Sequence, residues 1–381
     1  MSSKAFGPDP RTPDGEMEAF YGDLTDKHMD ALWRILGNLP KSNIDEAQYD
    51  PCHWRWSDLQ PFILRAGDLV APGPGAERRV ISMINPSLGP VHSASHTLSA
   101  NVQMVLPGEK APSHRHHIAA IRFIMEGEAV VTIVEGEPVV MRPGDLVLTP
   151  AWHWHGHVNK SDGPMLWMDS LDGPLVRHLG QQYQEPYPSD LQAATTTEGH
   201  SLALYGAGHL RPLGTKNPSP VSPLFSYPWA ETQAALYELA KFEADPFDDV
   251  AFDYTNPTTG GHVLPTIGCR IQMLRKTVRT RAHRHTYSSI YHVYRGQGST
   301  VVDGVRIDWQ QGDFFVLPPN CWHEHVNMSD EDAFLFSTND APVLEALQLS
   351  RTQAFPDNDG RQNVVASYAE RYGYEVEKAR Q

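Results

Sequence analysis

The sequence predicts an all-β core made of two copies of one small β-barrel, and three observations indicate this. Residues 129–150 are rich in Val, Ile and Leu, and short turn-forming words interrupt them, as expected of strands joined by tight turns. Paired histidines flank this segment at the two-residue spacing of one strand face. The whole pattern then occurs a second time, which indicates an internal duplication.

The first histidine pattern lies between His114 and Asn159. His114 and His116 are two residues apart, so both side chains point to one face of a strand, and His155 and His157 share this spacing. Two strands that each place histidines on an inner face predict a metal pocket inside the barrel. The alternative is a set of ordinary histidines, which the matched spacing within a strand-turn-strand pattern disfavours.

The second pattern repeats the first at a nearly constant offset. His283-Arg284-His285 lies 169 positions after His114-Arg115-His116 (114 to 283). Five further residues lie 168 positions after their counterparts (155 to 323): Gly312, Pro318, His323, His325 and Asn327. The difference of one position indicates a single insertion or deletion in the intervening hairpins.

The duplication predicts two domains. We interpret residues 1–190 as an N-terminal arm and helix followed by the first barrel, which carries the catalytic metal site. Residues 191–381 are interpreted as a connection, the second barrel and a C-terminal tail. Apolar spacing predicts helices at residues 16–36 and 228–242, and the Asp303-Gly304 pair predicts a tight hairpin in the second barrel.

The composition excludes several classes of partner. The chain of 381 residues has a formal net charge of −15 at pH 7, which argues against nucleic-acid and anionic-membrane partners. It contains no apolar run of about 18 residues, the length that spans a membrane. The three cysteines, Cys52, Cys269 and Cys321, are far apart and form no disulfide framework, so we expect a cytoplasmic protein.

Both halves resemble the two cupin motifs, a H-x-H strand followed by G-x5-P-x4-H-x3-N. Residues 51–351 as a whole resemble the gentisate 1,2-dioxygenase family, which also contains salicylate and 1-hydroxy-2-naphthoate dioxygenases. The matching words include Trp54-Arg55-Trp56, Glu77-Arg78-Arg79, Arg122-Phe123, Trp167-Met168-Asp169 and Asn256-Pro257-Thr258-Thr259-Gly260-Gly261. The resemblance implies a bicupin: two tandem double-stranded β-helix (jelly-roll) barrels with peripheral helices.

The resemblance also implies an activity. We expect an Fe(II)-dependent dioxygenase that opens gentisate with O2 between the carboxyl-bearing carbon and the adjacent hydroxylated carbon, giving maleylpyruvate in aromatic catabolism. The alternatives are salicylate, a substituted salicylate or 1-hydroxy-2-naphthoate as substrate. A cupin oxygenase or isomerase with another metal, and a metal-binding bicupin that is not a dioxygenase, also remain open. The family implies a homotetramer or a homodimer.

The metal ligands follow from the histidine spacing. His114, His116 and His155 are the best candidates in the first barrel, because three neutral imidazoles leave a divalent ion its full charge and open positions. Their counterparts are His283, His285 and His323. Imidazole ligands do not choose among iron, zinc, manganese and nickel, so Fe(II) rests on the resemblance. Many cupins add a carboxylate four residues after the second histidine, where this chain has Ala120 and Ser289.

Two arginines are candidate anchors for a substrate carboxylate. Arg122 lies six residues after His116 and so keeps the inward parity of that strand. A buried arginine needs an anionic partner, and a carboxylate matches its planar fork. The alternative is a structural salt bridge. Arg78 matches a pocket arginine of the family and carries the same argument less strongly.

Three further residues are candidates for handling the substrate. His157 shares a face with His155, so it is predicted to donate or accept a proton near the metal, or to make a structural hydrogen bond. By resemblance, Gln103 hydrogen-bonds substrate or O2, and Asp169 accepts from a distal ring hydroxyl or orients His157. Asn101 stands where the family usually has a small residue, and this departure leaves the preferred salicylate analogue open.

The second barrel is expected to hold a divalent metal without performing the main chemistry. Gln272 and His325 match Gln103 and His157, but the position of Arg122 is occupied by Tyr291 and that of Asp169 by Ser337. A tyrosine is neutral near pH 7 and offers no cationic fork to an anionic substrate. The alternative is that both sites work, on different substrates.

Overall fold

The structure is a computed structural model that describes residues 14–36, 47–71, 78–210, 212–214 and 218–373. Most of the predicted N-terminal arm and the end of the C-terminal tail lie outside these ranges. The described residues belong to two units, one within residues 1–45 and one within residues 46–381.

The first unit contains two helices, α1 (Asp14–Asp26) and α2 (Leu32–Leu36). The prediction of one helix over residues 16–36 was therefore wrong. His28 has a φ of 58°, which is left-handed and ends the first helix. The carboxylate of Asp30 accepts a hydrogen bond from the backbone N–H of Ala31 at 2.7 Å, ahead of the second helix. Phe20 and Trp33 then stack nearly parallel, with ring centroids 6.4 Å apart.

The second unit is dominated by β-strands. Those of its first part are β1 (Cys52–Trp54), β2 (Arg79–Met83), β3 (Ser99–Val105), β4 (Lys110–His116), β5 (Ala120–Glu126), β6 (Val130–Val134), β7 (Glu137–Met141), β8 (Leu146–Thr149), β9 (His155–Asn159), β10 (Met165–Leu171), β11 (Gln184–Pro186) and β12 (Ser226–Tyr227). Those of its second part are β13 (Val250–Asp253), β14 (Gly268–Leu274), β15 (Val278–Arg279), β16 (His283–His285), β17 (Ser289–Arg295), β18 (Gln297–Val302), β19 (Val305–Gln310), β20 (Phe314–Leu317), β21 (His323–Asn327), β22 (Ala333–Asn339), β23 (Thr352–Ala354) and β24 (Ala366–Ser367). The helices are α3 (Trp56–Leu69), α4 (Gly173–His178), α5 (His200–Tyr205), α6 (Trp229–Leu239), α7 (Ala341–Ala346) and α8 (Tyr368–Tyr372).

Each barrel is formed by two facing sheets. The first barrel has a six-stranded sheet in the order β12-β8-β5-β10-β3-β2 and a five-stranded sheet in the order β11-β4-β9-β6-β7. The second barrel repeats this arrangement with the orders β1-β20-β17-β22-β14-β13 and β23-β16-β21-β18-β19-β24. The predicted architecture of two β-barrels with peripheral helices is confirmed.

The local signals in the sequence explain several of these elements. The Asp303-Gly304 pair joins β18 to β19 with φ angles of 47° and 80°, the positive values that a two-residue hairpin needs. The helix predicted at residues 228–242 is α6, which Pro228 precedes as the N-cap residue. Among the described residues, no helix is both long and apolar enough to cross a membrane.

The two barrels exchange edge strands. Strand β1 precedes the first barrel in sequence but pairs with β20 of the second barrel. Strand β12 precedes the second barrel but pairs with β8 of the first. Hydrogen bonding therefore crosses the predicted boundary at residue 190, since β12 completes a sheet of the first barrel. The division into residues 1–190 and 191–381 stays a prediction.

Reciprocal hydrogen bonds join the barrels. Asp172 accepts from the hydroxyl of Thr266 at 2.5 Å, and Asp340 accepts from the hydroxyl of Thr97 at 2.6 Å. Each donor comes from the other repeat. Phe123 and Phe336 stack between the barrels with ring centroids 4.2 Å apart. Buried contacts of this kind fix the position of each barrel interior relative to the other.

Candidate metal centre and substrate cavity

Three histidines of the first barrel meet between β4 and β9. The ring centroids of His114, His116 and His155 are 4.8–5.1 Å apart, and one nitrogen of each lies within 4.8 Å of the others. The pairing of His114 with His155 across the two strands produces this convergence. The predicted ligand set is thus brought together in one place.

Hydrogen bonds set the tautomers of two of these rings. Nδ1 of His116 lies 2.5 Å from the carbonyl oxygen of Ile118, and Nδ1 of His155 lies 3.0 Å from that of His153. A carbonyl only accepts, so each Nδ1 carries the proton and each Nε2 presents a lone pair. Nε2 of His155 is buried without a hydrogen-bond partner. These are the features of a divalent metal site, and the adjacent Ala120 adds no ligand.

Burial keeps the three histidines neutral. It lowers the pKa of His155 well below its usual value and that of His116 to about 4. Burial, followed by the charge of Arg78, lowers the pKa of His114 to about 2. Because a protonated imidazole cannot bind a cation, these shifts favour metal binding near neutral pH.

Arg78 lies directly beside the cluster. Its Nη1 is 3.0 Å from Nδ1 of His114. A guanidinium only donates, so this contact uses the lone pair of Nδ1 and places the proton of a neutral His114 on Nε2. Arg78 also lines the cavity, so its positive charge lies beside both His114 and the cavity.

Arg122 is buried in the same cavity. Its Nε lies 3.2 Å from a carboxylate oxygen of Asp169, the residue opposite it on β10, and its Nη1 donates to the hydroxyl of Thr149 at 2.8 Å. No described residue accepts a hydrogen bond from its Nη2. Burial lowers the pKa of Arg122 and raises that of Asp169, and each charge opposes the shift of the other. The ion pair considered from sequence is present, and part of the guanidinium remains unused.

The histidines and arginines line a cavity of about 480 Å³. Its wall is formed by Arg78, Val80, Asn101, Gln103, His114, His116, Ile118, Ala120, Arg122, His155, Asp169, Leu171, Gln182, Tyr183 and Gln184. Nε2 of Gln103 is buried there without a hydrogen-bond partner. A larger groove of about 920 Å³ runs beside β18 and β19, but its lining includes none of the clustered histidines. The chemistry thus singles out the smaller cavity.

Residues 182–184 belong to the site but were missed by sequence reasoning. Gln184 is the first residue of β11, which pairs with the strand of His114 and His116. The backbone N–H of His117 also donates to the carbonyl of Tyr183 at 3.0 Å. These residues lie in the irregular connection after the first barrel, where no periodic pattern marks a strand.

His157 lies behind the cluster and does not line the cavity. Its ring centroid is 6.3 Å from that of His155, and its Nδ1 is 2.8 Å from the hydroxyl of Thr132. Thr132 can donate its own proton to Sδ of Met141 at 3.1 Å, and His157 then donates from Nδ1 and keeps a lone pair on Nε2. Thr132, and not Asp169, therefore orients His157. Burial, followed by the charge of Arg122, lowers the pKa of His157 well below its usual value.

The second barrel assembles a similar cluster. The ring centroids of His283, His285 and His323 are 4.2–5.7 Å apart. Nδ1 of His285 lies 2.8 Å from the carbonyl of Tyr287, and Nδ1 of His323 lies 3.2 Å from that of Cys321. Nε2 of His323 is buried without a partner, as in the first cluster.

One expectation about the second cluster needs correction. Tyr291 and Ser337 stand where predicted, but the strand position of Asn101 is occupied by Arg270, so a guanidinium does lie close to these histidines. This arginine lies two residues before Gln272, the counterpart of Gln103. Two carboxylates compensate this charge: Asp248 at 3.0 Å and Asp253 at 2.7 Å.

Known proteins resemble this chain over most of its length. The Cupin domain family model matches residues 101–171 and 271–339. A 5-aminosalicylate 1,2-dioxygenase from Comamonas sp. is 40% identical over 357 residues, 93% of this chain and 94% of the relative. Gentisate 1,2 dioxygenase 1 from Aquipseudomonas alcaligenes is 38% identical, over 87% and 94%. The crystal structure of salicylate 1,2-dioxygenase from Pseudoaminobacter salicylatoxidans with gentisate superposes with a TM-score of 0.82 at 36% identity, covering 92% and 96%.

The two jelly-roll barrels and their histidine clusters define a metal-dependent bicupin. Within that class, the chain belongs to the gentisate 1,2-dioxygenase family of ring-cleaving dioxygenases. This assignment selects a dioxygenase over the other cupin enzymes and the non-enzymatic bicupins that the sequence left open. The residues of the cavity then determine which salicylate-type substrate is cleaved.

Proposed function

We propose that the first barrel binds Fe(II) through His114, His116 and His155 and cleaves the ring of gentisate with O2, giving maleylpyruvate. The observation that carries this proposal is the burial of Arg122 in the same cavity as the three histidines. Fe(II), when bound, supplies the redox chemistry that lets dioxygen react with the aromatic ring. The residues of the chain bind, orient and hold the substrate.

The two arginines of the cavity are the proposed binding groups for a carboxylate of the substrate. Nη2 of Arg122 offers two N–H donors, since Asp169 lies at Nε and Thr149 accepts from Nη1. Arg78, which also lines the cavity, supplies a second positive charge. A carboxylate at this place is held by charge-assisted hydrogen bonds, which fix the ring in one orientation over the histidines.

Two polar residues complete the proposed machinery. Gln103 lines the cavity and has a buried amide nitrogen without a hydrogen-bond partner, which can donate to an oxygen of the substrate or of O2. His157 is neutral, and its Nε2 is buried without a partner. Since His157 does not line the cavity, we propose that this lone pair accepts the proton of the ring hydroxyl through one bridging water.

Asp169 is the residue proposed to recognise a group on the far side of the ring. Its Oδ1 makes an ion pair with Arg122 but accepts no aligned hydrogen bond, so it can accept from a 5-hydroxyl. A 5-amino group is also a donor, and the similarity to 5-aminosalicylate 1,2-dioxygenase makes 5-aminosalicylate the second candidate substrate. Salicylate lacks such a donor, and 1-hydroxy-2-naphthoate carries a second ring instead.

The substrate assignment is tested by oxygen uptake of anaerobically iron-loaded protein with gentisate, 5-aminosalicylate, salicylate and 1-hydroxy-2-naphthoate. We expect gentisate to give the highest kcat/KM. Asp169→Asn should lower the ratio of kcat/KM for gentisate over salicylate about tenfold, because a hydrogen bond to a charged group contributes about 1.5–3 kcal/mol. A ratio that is unchanged in Asp169→Asn would remove Asp169 from substrate recognition.

We propose that His283, His285 and His323 hold a second divalent metal, and that the protein acts in the cytoplasm as a homotetramer or homodimer. Light scattering on the purified protein measures the oligomeric state directly. A monomer at micromolar concentration would contradict the proposed assembly.

A further inference from the structure

A short segment of the second barrel, residues 245–249, forms a closed turn that we call the plug. The backbones of Asp245 and Asp249 exchange two hydrogen bonds of 2.9 and 3.0 Å. The carboxylate of Asp245 accepts from the backbone N–H groups of Phe247 and Asp248 at 2.7 and 3.0 Å. Because the turn satisfies its own backbone, it presents Phe247 and Asp248 in a defined conformation.

In the second barrel, the plug binds the residues whose counterparts line the cavity of the first barrel. The side-chain amide of Gln272, the counterpart of Gln103, donates to the carbonyl of Asp248 at 2.8 Å. Arg270, the counterpart of Asn101, donates to the carboxylate of Asp248 at 3.0 Å. The plug therefore occupies, in the second barrel, the positions whose polar groups are available to a ligand in the first barrel.

Aromatic rings cover two of the three histidines. Phe247 of the plug packs against His283 with ring centroids 5.1 Å apart. Tyr287, the counterpart of the cavity residue Ile118, stacks on His285 at 3.5 Å and nearly parallel. These rings lie against the cluster where a substrate ring would need to approach the histidines.

The histidines beneath this cover retain metal-binding capacity. Nδ1 of His283 and Nε2 of His323 are buried and have no hydrogen-bond partner. Buried polar atoms without partners are costly, and a cation is a partner for both. The carboxylates of Asp248 and Asp253 outnumber the single Arg270 beside this cluster, whereas Arg78 and Arg122 outnumber Asp169 beside the first.

We propose that the second cluster is a closed structural metal site: the plug retains a divalent cation on His283, His285 and His323 and excludes aromatic carboxylates. The two barrels thus use similar ligand sets for different purposes, because one cavity is open and cationic while the other is filled and carries carboxylates. This inference does not depend on which substrate the first barrel cleaves.

Release of metal to a chelator tests the proposal. The full-length protein is loaded anaerobically with Fe(II), freed of excess metal and mixed with a ferrous chelator, and the iron released per chain is followed in time. We expect two phases of about one iron each, the fast one from the open first cluster. His323→Ala should remove the slow phase and lower the Tm of the loaded protein.

The role of the plug is tested by Phe247→Ala, with Phe242→Ala as the matched control, because Phe242 is 71% exposed. We expect the slow phase to accelerate at least about tenfold in Phe247→Ala, since loss of groups that support metal ligands weakens binding 10- to 100-fold. The control should match the wild type. Phe247→Leu replaces Phe247→Ala if the latter does not fold.

Three results would overturn the proposal. One is the release of only one iron per wild-type chain, in a single fast phase. Another is a slow phase that Phe247→Ala or Phe247→Leu leaves unchanged. The third is anaerobic binding of two gentisate molecules per chain, which cannot occur if the plug excludes gentisate from the second cluster. Each readout is independent of turnover, so a failure of the proposed dioxygenase substrate would be recognised separately.

Discussion

The guanidinium of Arg122 lies 3.2 Å from the carboxylate of Asp169, and both side chains are buried against the open histidine cluster. Neither group is fully used by the other, because the pair lacks an aligned hydrogen bond through Nε. We propose that the pair contacts two substituents of one substrate, Arg122 binding the carboxylate and Asp169 accepting a hydrogen bond from a second group on the ring.

Replacement of Arg122 by Gln tests whether the positive charge of this residue binds the substrate carboxylate. The variant leaves the substrate carboxylate without its buried cationic partner, which costs about 2–5 kcal/mol in binding, so kcat/KM for gentisate should fall by about a hundredfold while the iron content is retained. Thr149→Val is the control, since it removes a neighbour of the guanidinium and keeps the charge. A variant with a lowered Tm and an unchanged kcat/KM would show that Arg122 is structural.

Replacement of His157 by Ala tests proton handling behind the metal cluster. The variant should retain its iron and bind gentisate anaerobically, but turn over at least about a hundredfold more slowly, the typical contribution of a general base. Thr132→Val, which removes the partner of Nδ1 at 2.8 Å, should give a smaller decrease. If His157→Ala loses iron instead, then His157 is a metal ligand.

The contact between Asp172 and Thr266 predicts a pH dependence of stability. Burial raises the pKa of Asp172 to about 6, although Thr266 and the backbone of Ala119 donate to its carboxylate. Between pH 4 and 6 the folded protein therefore binds more protons at this residue than the unfolded chain, so its contribution to stability falls as the pH rises.

Asp172→Asn removes this ionisation. Its free energy of unfolding relative to the wild type should increase by up to about 3 kcal/mol between pH 4 and pH 7. Urea unfolding across this range measures the difference, with Asp162→Asn as a control at an exposed carboxyl. A difference that stays flat or decreases with pH would contradict the raised pKa.

The sequence was sufficient for the features that repeat. The spacing of His114 to His116 and of His155 to His157 predicted the facing strands, and the offset to His283 and His323 predicted the second barrel. Arg122 lines the cavity as predicted, but the single strand assumed for it is absent: β4 ends at His116, and Arg122 lies on the next strand, β5. These features follow from strand geometry, which a single sequence displays directly.

The remaining features depend on contacts between distant segments. Strands β1 and β12 have only three and two residues, too few for a period, and their exchange is determined by the partner barrel. The cavity residues on β11 and the plug residue Asp248 lie in connections whose composition predicts only loops. The break between α1 and α2 depends on the left-handed conformation of His28, which is uncommon for residues other than glycine and is not marked in the sequence.

The central claim is that ring cleavage takes place at the first cluster and not at the second. The most direct measurement is the rate of O2 consumption with gentisate by two iron-loaded double variants, His114→Ala/His116→Ala and His283→Ala/His285→Ala. We predict that the first variant loses turnover entirely while it keeps about one iron per chain in the second cluster. The second variant should keep most of the activity with about one iron per chain in the first cluster. Loss of turnover in a folded His283→Ala/His285→Ala protein with a loaded first cluster, or substantial turnover by the His114→Ala/His116→Ala protein, would contradict this account.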